Sequence, residues 1–104
     1  MIRESPITDF QPRPNDIIWD VRDANAYAEG HWQPAQHQAL DSINRTVLQT
    51  VPSEQTIYVL CGGGTKAGRA AQLIASLDSQ RSVVILTGGT RAAKAAGLPM
   101  VEGF

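Results

Sequence analysis

The sequence predicts an α/β fold: a central, mainly parallel five-stranded sheet with helices on both faces. Three observations lead there. Ile57-Tyr-Val-Leu60 and Ser82-Val-Val-Ile-Leu86 are short apolar runs without polar alternation, the pattern of strands covered on both sides. Each run passes through a glycine turn into a stretch of helical spacing, and such alternation builds parallel sheets. With 104 residues, 42% hydrophobic and 18% charged, and no repeat or low-complexity tract, the chain has room for one ordered domain with a modest core.

Residues 1–16 carry Pro6, Pro12 and Pro14 among polar spacers and read as an extended N-terminal lead-in, with one short edge strand near Ile7 to Phe10. Residues 17–104 form the domain. Ile17 to Val21 is its first buried strand, with Asp20 at the end. Asp23 caps a short helix over Ala24 to Glu29, Tyr27 faces inward, and Gly30 stops the helix. Gly30-His31-Trp32-Gln33-Pro34 reads as a turn. Ala35 to Leu40 stands where a strand belongs, but Gln36 and Gln38 make one side polar, which predicts an edge strand. Asp41 or Ser42 caps a helix from Ile43 to about Thr50, and Pro52 follows its end. The main helix takes its core stripe from Ala67, Ala70, Ala71, Ile74 and Leu77. A last helix, Arg91 to Ala96, follows Thr87-Gly88-Gly89-Thr90 and is closed by Gly97 and Pro99.

The stretch from Ile57 to Leu77 organises the rest. A buried strand ends at Cys61, the only cysteine, and Gly62-Gly63-Gly64-Thr65-Lys66 leads directly into the main helix. Free N–H groups of the glycine loop and of the first helical turn can converge there on one anion, with the helix dipole adding to the attraction. A thiolate or persulfide would be stabilised. By residue type alone, a lone cysteine is more often a small buried hydrophobe, but such a residue has no use for a triple glycine, which costs backbone entropy on folding. A phosphate loop of the Walker type is excluded, because Lys66 follows Thr65 and Ala67 stands where a hydroxyl would bind magnesium. The dinucleotide fingerprint also fails, since its third glycine is misplaced.

Four Arg face eight Asp or Glu before Cys61, whereas five Lys or Arg face two acids from Cys61 onward. The positive half suits a small anionic substrate. No basic stripe interleaved with aromatics marks a nucleic-acid binder. The N-terminus lacks the apolar core of a signal peptide and no run is long enough to cross a membrane, so the expected location is the cytoplasm. One cysteine cannot form an internal disulfide, which leaves a thiol available for chemistry.

The ordered pieces Trp19-Asp20-Val21-Arg22, Tyr27-Ala-Glu-Gly30-His31, Tyr58-Val-Leu-Cys61, and Gly88-Gly89 with Ala95-Ala-Gly97-Leu98-Pro99 make the chain resemble the rhodanese-like (thiosulfate sulfurtransferase) family in its single-domain form. The resemblance implies that Cys61 is the nucleophile. It would take a sulfane sulfur from a donor such as thiosulfate and pass it to cyanide or a thiol, without metal or organic cofactor. Gly62, Gly63, Gly64, Thr65 and Lys66 would bind the small anionic donor. The family loop most often reads Cys-x-x-Gly-x-Arg followed by Ser or Thr; Gly64 and Lys66 match, while Ala67 replaces the hydroxyl. Related phosphatases have one more residue before their arginine, a position held here by Ala67, which argues against phosphatase activity. Asp20 and Arg22 read as structural support, an ion pair or cap fixing the first strand end. After Gly30-His31 the chain departs from the family, and His37 is open to a role as proton donor, pocket wall or plain strand-end residue; the role of Trp32 is likewise open. The family also includes noncatalytic binding or regulatory modules and persulfide carriers fed by a protein donor, so a sulfur-relay partner is a further expectation.

Overall fold

A computed structural model describes residues 1–104. Its centre is a sheet of five parallel strands: β1 (Ile2–Pro6), β2 (Ile17–Asp20), β4 (Gln36–His37), β5 (Ile57–Leu60) and β6 (Val83–Thr87). They lie in the order β1-β6-β5-β2-β4. A separate antiparallel ribbon pairs β3 (His31–Trp32) with β7 (Met100–Val101). The helices are α1 (Ala24–Glu29), α2 (Arg45–Gln49), α3 (Lys66–Leu77) and α4 (Gly89–Ala95). None is long and apolar enough to cross a membrane.

Period-two alternation along the central strands produces a core on each face. Trp19, Val21, Ile57, Val59 and Val83 point to the side that carries Leu48 of α2 and the Ala67, Ala70, Ala71 and Ile74 stripe of α3. Ile18, Leu60, Val84 and Leu86 point to the other side, where Ile7, Trp32, Ala35 and Ala93 of α4 pack. Fully apolar β5 and β6 are therefore consistent with their position in the middle of the sheet.

Three expectations are corrected. The N-terminal edge strand lies at Ile2–Pro6, while Ile7–Asp9 is a 3-10 turn, so the sheet begins ahead of residue 17. Strand β1 is held by a full parallel register with β6, from Ile2 against Val83 to Pro6 against Thr87. Second, α2 is capped by Asn44, whose side chain accepts from the Val47 amide at 2.9 Å, because Leu40–Ser42 forms a 3-10 turn ahead of it. Third, the segment after Gly30 is strand β3, where Met100 and Val101 return to pair with it. By contrast Asp23 caps α1 as the sequence predicts, accepting from the Ala26 amide at 2.9 Å.

Candidate active site

The carboxyl ends of β2, β5 and β6 share one edge of the sheet, the edge at which open α/β folds bind ligands. Cys61 is the residue immediately after β5 and keeps its alternation, so it lies on the α3 side with Val59 and Ala67. It is 4% exposed. Two cavities nevertheless open onto it. One, of about 300 Å³, is bordered by Arg22, Ala26, Gly64, Thr65, Lys66 and Arg69. The other, of about 240 Å³, lies between Gly63, Gly64 and Ala67 on one side and Ile85 to Gly89 on the other.

The loop that follows is rich in unspent donors. No backbone amide from Gly62 to Gly68 finds an acceptor in the chain; the first bond of the helical series runs from the Arg69 amide to the Thr65 carbonyl at 3.1 Å. Thr65 precedes α3, yet its hydroxyl caps nothing. A helix start without a cap, beside a buried thiol, is suited to holding an anion. Lys66 opens the helix, where the dipole disfavours a cation, and a bound anion would offset that cost of ~0.5 kcal/mol.

The first two carbonyls of this stretch, unlike its amides, are held from α4. Thr90 donates its amide to the Cys61 carbonyl at 2.8 Å, and Arg91 donates to the Gly62 carbonyl at 3.1 Å. Such close approach requires glycine at position 89, where φ is +57° and a Cβ would stand 2.2 Å from the Cys61 oxygen.

Asp20, fully buried at the end of β2, is gripped by the Arg22 guanidinium. Nε reaches both carboxylate oxygens at 3.0 and 3.2 Å, and Nη2 reaches Oδ2 at 2.8 Å. Nη2 also donates to the Gly30 carbonyl at 2.8 Å, which ties the end of α1 to β2. A buried carboxylate needs such a partner, and the geometry supplies it. Nη1 has no partner in the chain, and Arg22 borders the Cys61 cavity. Beside the pair, burial first and the Asp20 charge second push the Tyr27 hydroxyl above its usual value of 10.0, against the opposing Arg22 charge. That hydroxyl donates to the Ala35 carbonyl at 2.7 Å.

A family model, the rhodanese-like domain, matches residues 7–96. The chain belongs to the rhodanese-like domain family. Solved structures agree. A protein of Bacillus halodurans, BH2092, is 26% identical with a TM-score of 0.83, over 96% of this chain and 77% of that one. The rhodanese-like domain of the Alr3790 protein from Anabaena sp. is 30% identical with a TM-score of 0.74, over 85% and 88%. A rhodanese from E. coli, solved with anions, is 25% identical with a TM-score of 0.67, over 85% and 99%.

Within this rhodanese-like domain the structure gathers Cys61, Gly62, Gly64, Thr65 and Lys66 around one cavity and puts Gly63 on the next. His37 borders neither. Its Nε2 bonds the Arg22 carbonyl at 2.9 Å and its ring lies 4.9 Å from Tyr27, so it buttresses the strand end and is not brought to the thiol. Trp32 is core, edge-on to Phe10 at 6.1 Å on the opposite face. No group of three His, Cys, Asp or Glu side chains comes together that could hold a metal. Sequence reasoning missed Arg69 and the open side of Arg22 as cations at the cavity. Arg69 was legible in principle, three residues beyond Lys66 and hence on the same helical face.

Proposed function

We propose that this domain is a sulfurtransferase that carries a sulfane sulfur on Cys61. The observation behind the reading is the coincidence, at one strand end, of the thiol with a run of unpartnered amides from Gly62 to Gly68 and the cations Arg22, Lys66 and Arg69. The Cys61 thiolate attacks the outer sulfur of thiosulfate, the S–S bond of the donor breaks, and sulfite leaves with the electron pair. Cys61 then bears a persulfide whose terminal charge the loop amides hold, as an oxyanion hole holds oxygen. Cyanide or a thiol attacks that terminal sulfur, and Cys61 leaves again as thiolate.

Five residues after the cysteine reach only Lys66, a short loop that favours sulfur over phosphate chemistry. Mass spectrometry tests the reading. Wild-type protein is expected to gain one sulfur atom on Cys61 after thiosulfate, to lose it to cyanide, and to leave aryl phosphates intact, while Cys61→Ser gains nothing. Cys61-dependent cleavage of aryl phosphate with no persulfide would overturn the assignment.

A further inference from the structure

We infer that a groove beside the Cys61 cavity binds the sulfur acceptor, and that this acceptor is a small thiol of amino-acid or short-peptide size carrying both an ammonium and a carboxylate. The inference rests on sulfur transfer through Cys61. The groove holds about 570 Å³, within the range of roughly 300 to 1,000 Å³ that small-molecule sites occupy. Arg22, Ala26, Glu29, Thr90, Lys94 and Glu102 border it. Arg22 and Ala26 also border the cavity at Cys61, so the two spaces adjoin across the first turn of α1.

The charges of the groove are what select the ligand. Arg22 and Lys94 contribute cations from the end of β2 and from α4, and Glu29 and Glu102 contribute carboxylates from α1 and from the chain after β7. Glu29, Lys94 and Glu102 take part in no ion pair, and Nη1 of Arg22 is unspent. An anion alone would meet two carboxylates there and an amine alone would meet two cations. A molecule with both groups can satisfy both, while Met100 and Val101 offer apolar surface to its methylenes. Thr90 adds an independent sign. Its Oγ1 is buried without any partner, although its amide holds the Cys61 carbonyl at 2.8 Å, and an unpaired buried hydroxyl in a native wall calls for an explanation.

In the step itself, the acceptor sulfur attacks the terminal sulfur of the Cys61 persulfide. The new S–S bond forms as the Cys61 Sγ–S bond breaks, the electron pair stays on Cys61 as thiolate, and the thiol's proton goes to the new persulfide. No oxidant or reductant is consumed.

S-methylcysteine, which has both charges and no thiol, is the probe. In an amide NMR titration it is expected to shift Glu29, Thr90, Lys94 and Glu102, and Lys94→Glu should abolish the shifts while the remaining spectrum stays folded. In turnover, the ratio of the rates with cysteine and with the neutral thiol mercaptoethanol should fall about tenfold in Lys94→Glu and in Glu29→Lys, with Glu29→Gln as a milder check. Absence of groove shifts in the wild type, or an unchanged rate ratio in every variant, overturns the inference. A protein that forms no persulfide yet binds the probe in the groove refutes the sulfur-transfer reading and leaves the zwitterion site standing.

Discussion

The two ends of α3 are built in opposite ways. At the carboxyl end, buried Arg81 spends its guanidinium on the carbonyls that close α2: Nη1 donates to Pro52 and to Gln55 at 3.1 Å, and Nη2 to Val51 at 3.1 Å and Leu48 at 3.4 Å. Its Nε makes no hydrogen bond but lies 3.4 Å from Asp78 in an ion pair. At the amino end, the amides from Gly62 to Gly68 stand open and Lys66 has no partner. Cavity size does not separate the two, since the hollow beside Arg81, at about 390 Å³, is larger than the one of about 300 Å³ at Cys61. The state of the donors does. Polar groups satisfied within the chain stabilise the fold, and polar groups left unsatisfied at a reachable surface are available to a ligand.

Substitutions that touch one end and spare the other sharpen this contrast. Gly89→Ala should have the largest effect, because the added Cβ would overlap the Cys61 carbonyl in a conformation disfavoured for alanine. A loss of about 3 kcal/mol or more in chemical denaturation is expected, together with loss of sulfur uptake in whatever protein remains folded. Arg81→Leu should cost about 3 kcal/mol by orphaning the α2 carbonyls, yet leave persulfide formation per folded molecule unchanged. Equal damage to both readouts would mean the two ends are not separable. Lys66→Ala should weaken use of thiosulfate by about tenfold with little change in melting temperature, and Lys66→Arg should improve it by restoring a bidentate fork. Identical rates in the three proteins would reduce Lys66 to solvated surface.

The smallest effect falls outside α3, at Tyr27 of α1. Tyr27→Phe removes the bond to the Ala35 carbonyl and should cost about 1 kcal/mol at neutral pH. Its pH signature is more specific. Because the folded state holds the hydroxyl proton more tightly than the unfolded chain, the unfolded state binds fewer protons above pH 10.0, and stability falls as pH rises through that value toward the folded one. Denaturation between neutral and strongly alkaline pH should show this decline in the wild type and a shallower one in Tyr27→Phe.

What the sequence made legible follows from how much of each signal is local. Strands β5 and β6 are covered on both faces, so their apolar runs were unmistakable, and α3 carries its stripe over three turns. Strand β1 reads Ile-Arg-Glu-Ser-Pro, with Ile2 its one large apolar side chain; it is a strand because β6 offers it an edge, which no local pattern encodes. The two-residue ribbon of β3 and β7 is too short to show a period, and its partners lie far apart in sequence. At the candidate site, Cys61 and the loop after it stand out in the sequence because a triple glycine costs backbone entropy on folding. The unspent side of Arg22 was not, since Asp20 explained that residue fully until the fork geometry left Nη1 over.

The bonds from Thr90 and Arg91 to the cysteine loop also govern whether that loop can keep its shape in another protein. The hexapeptide from Cys61 to Lys66 is not a portable cassette. Grafted onto a foreign strand-to-helix turn, it would bring its amides but not the second turn that holds the Cys61 and Gly62 carbonyls, and the glycines would relax into many shapes. A successful transplant has to carry Thr87 to Arg91 as well. By the same logic, an insertion between β6 and α4 would disturb Cys61 more than one of equal length in the exposed Gln11 to Asn15 stretch, although neither lies in the cysteine loop itself.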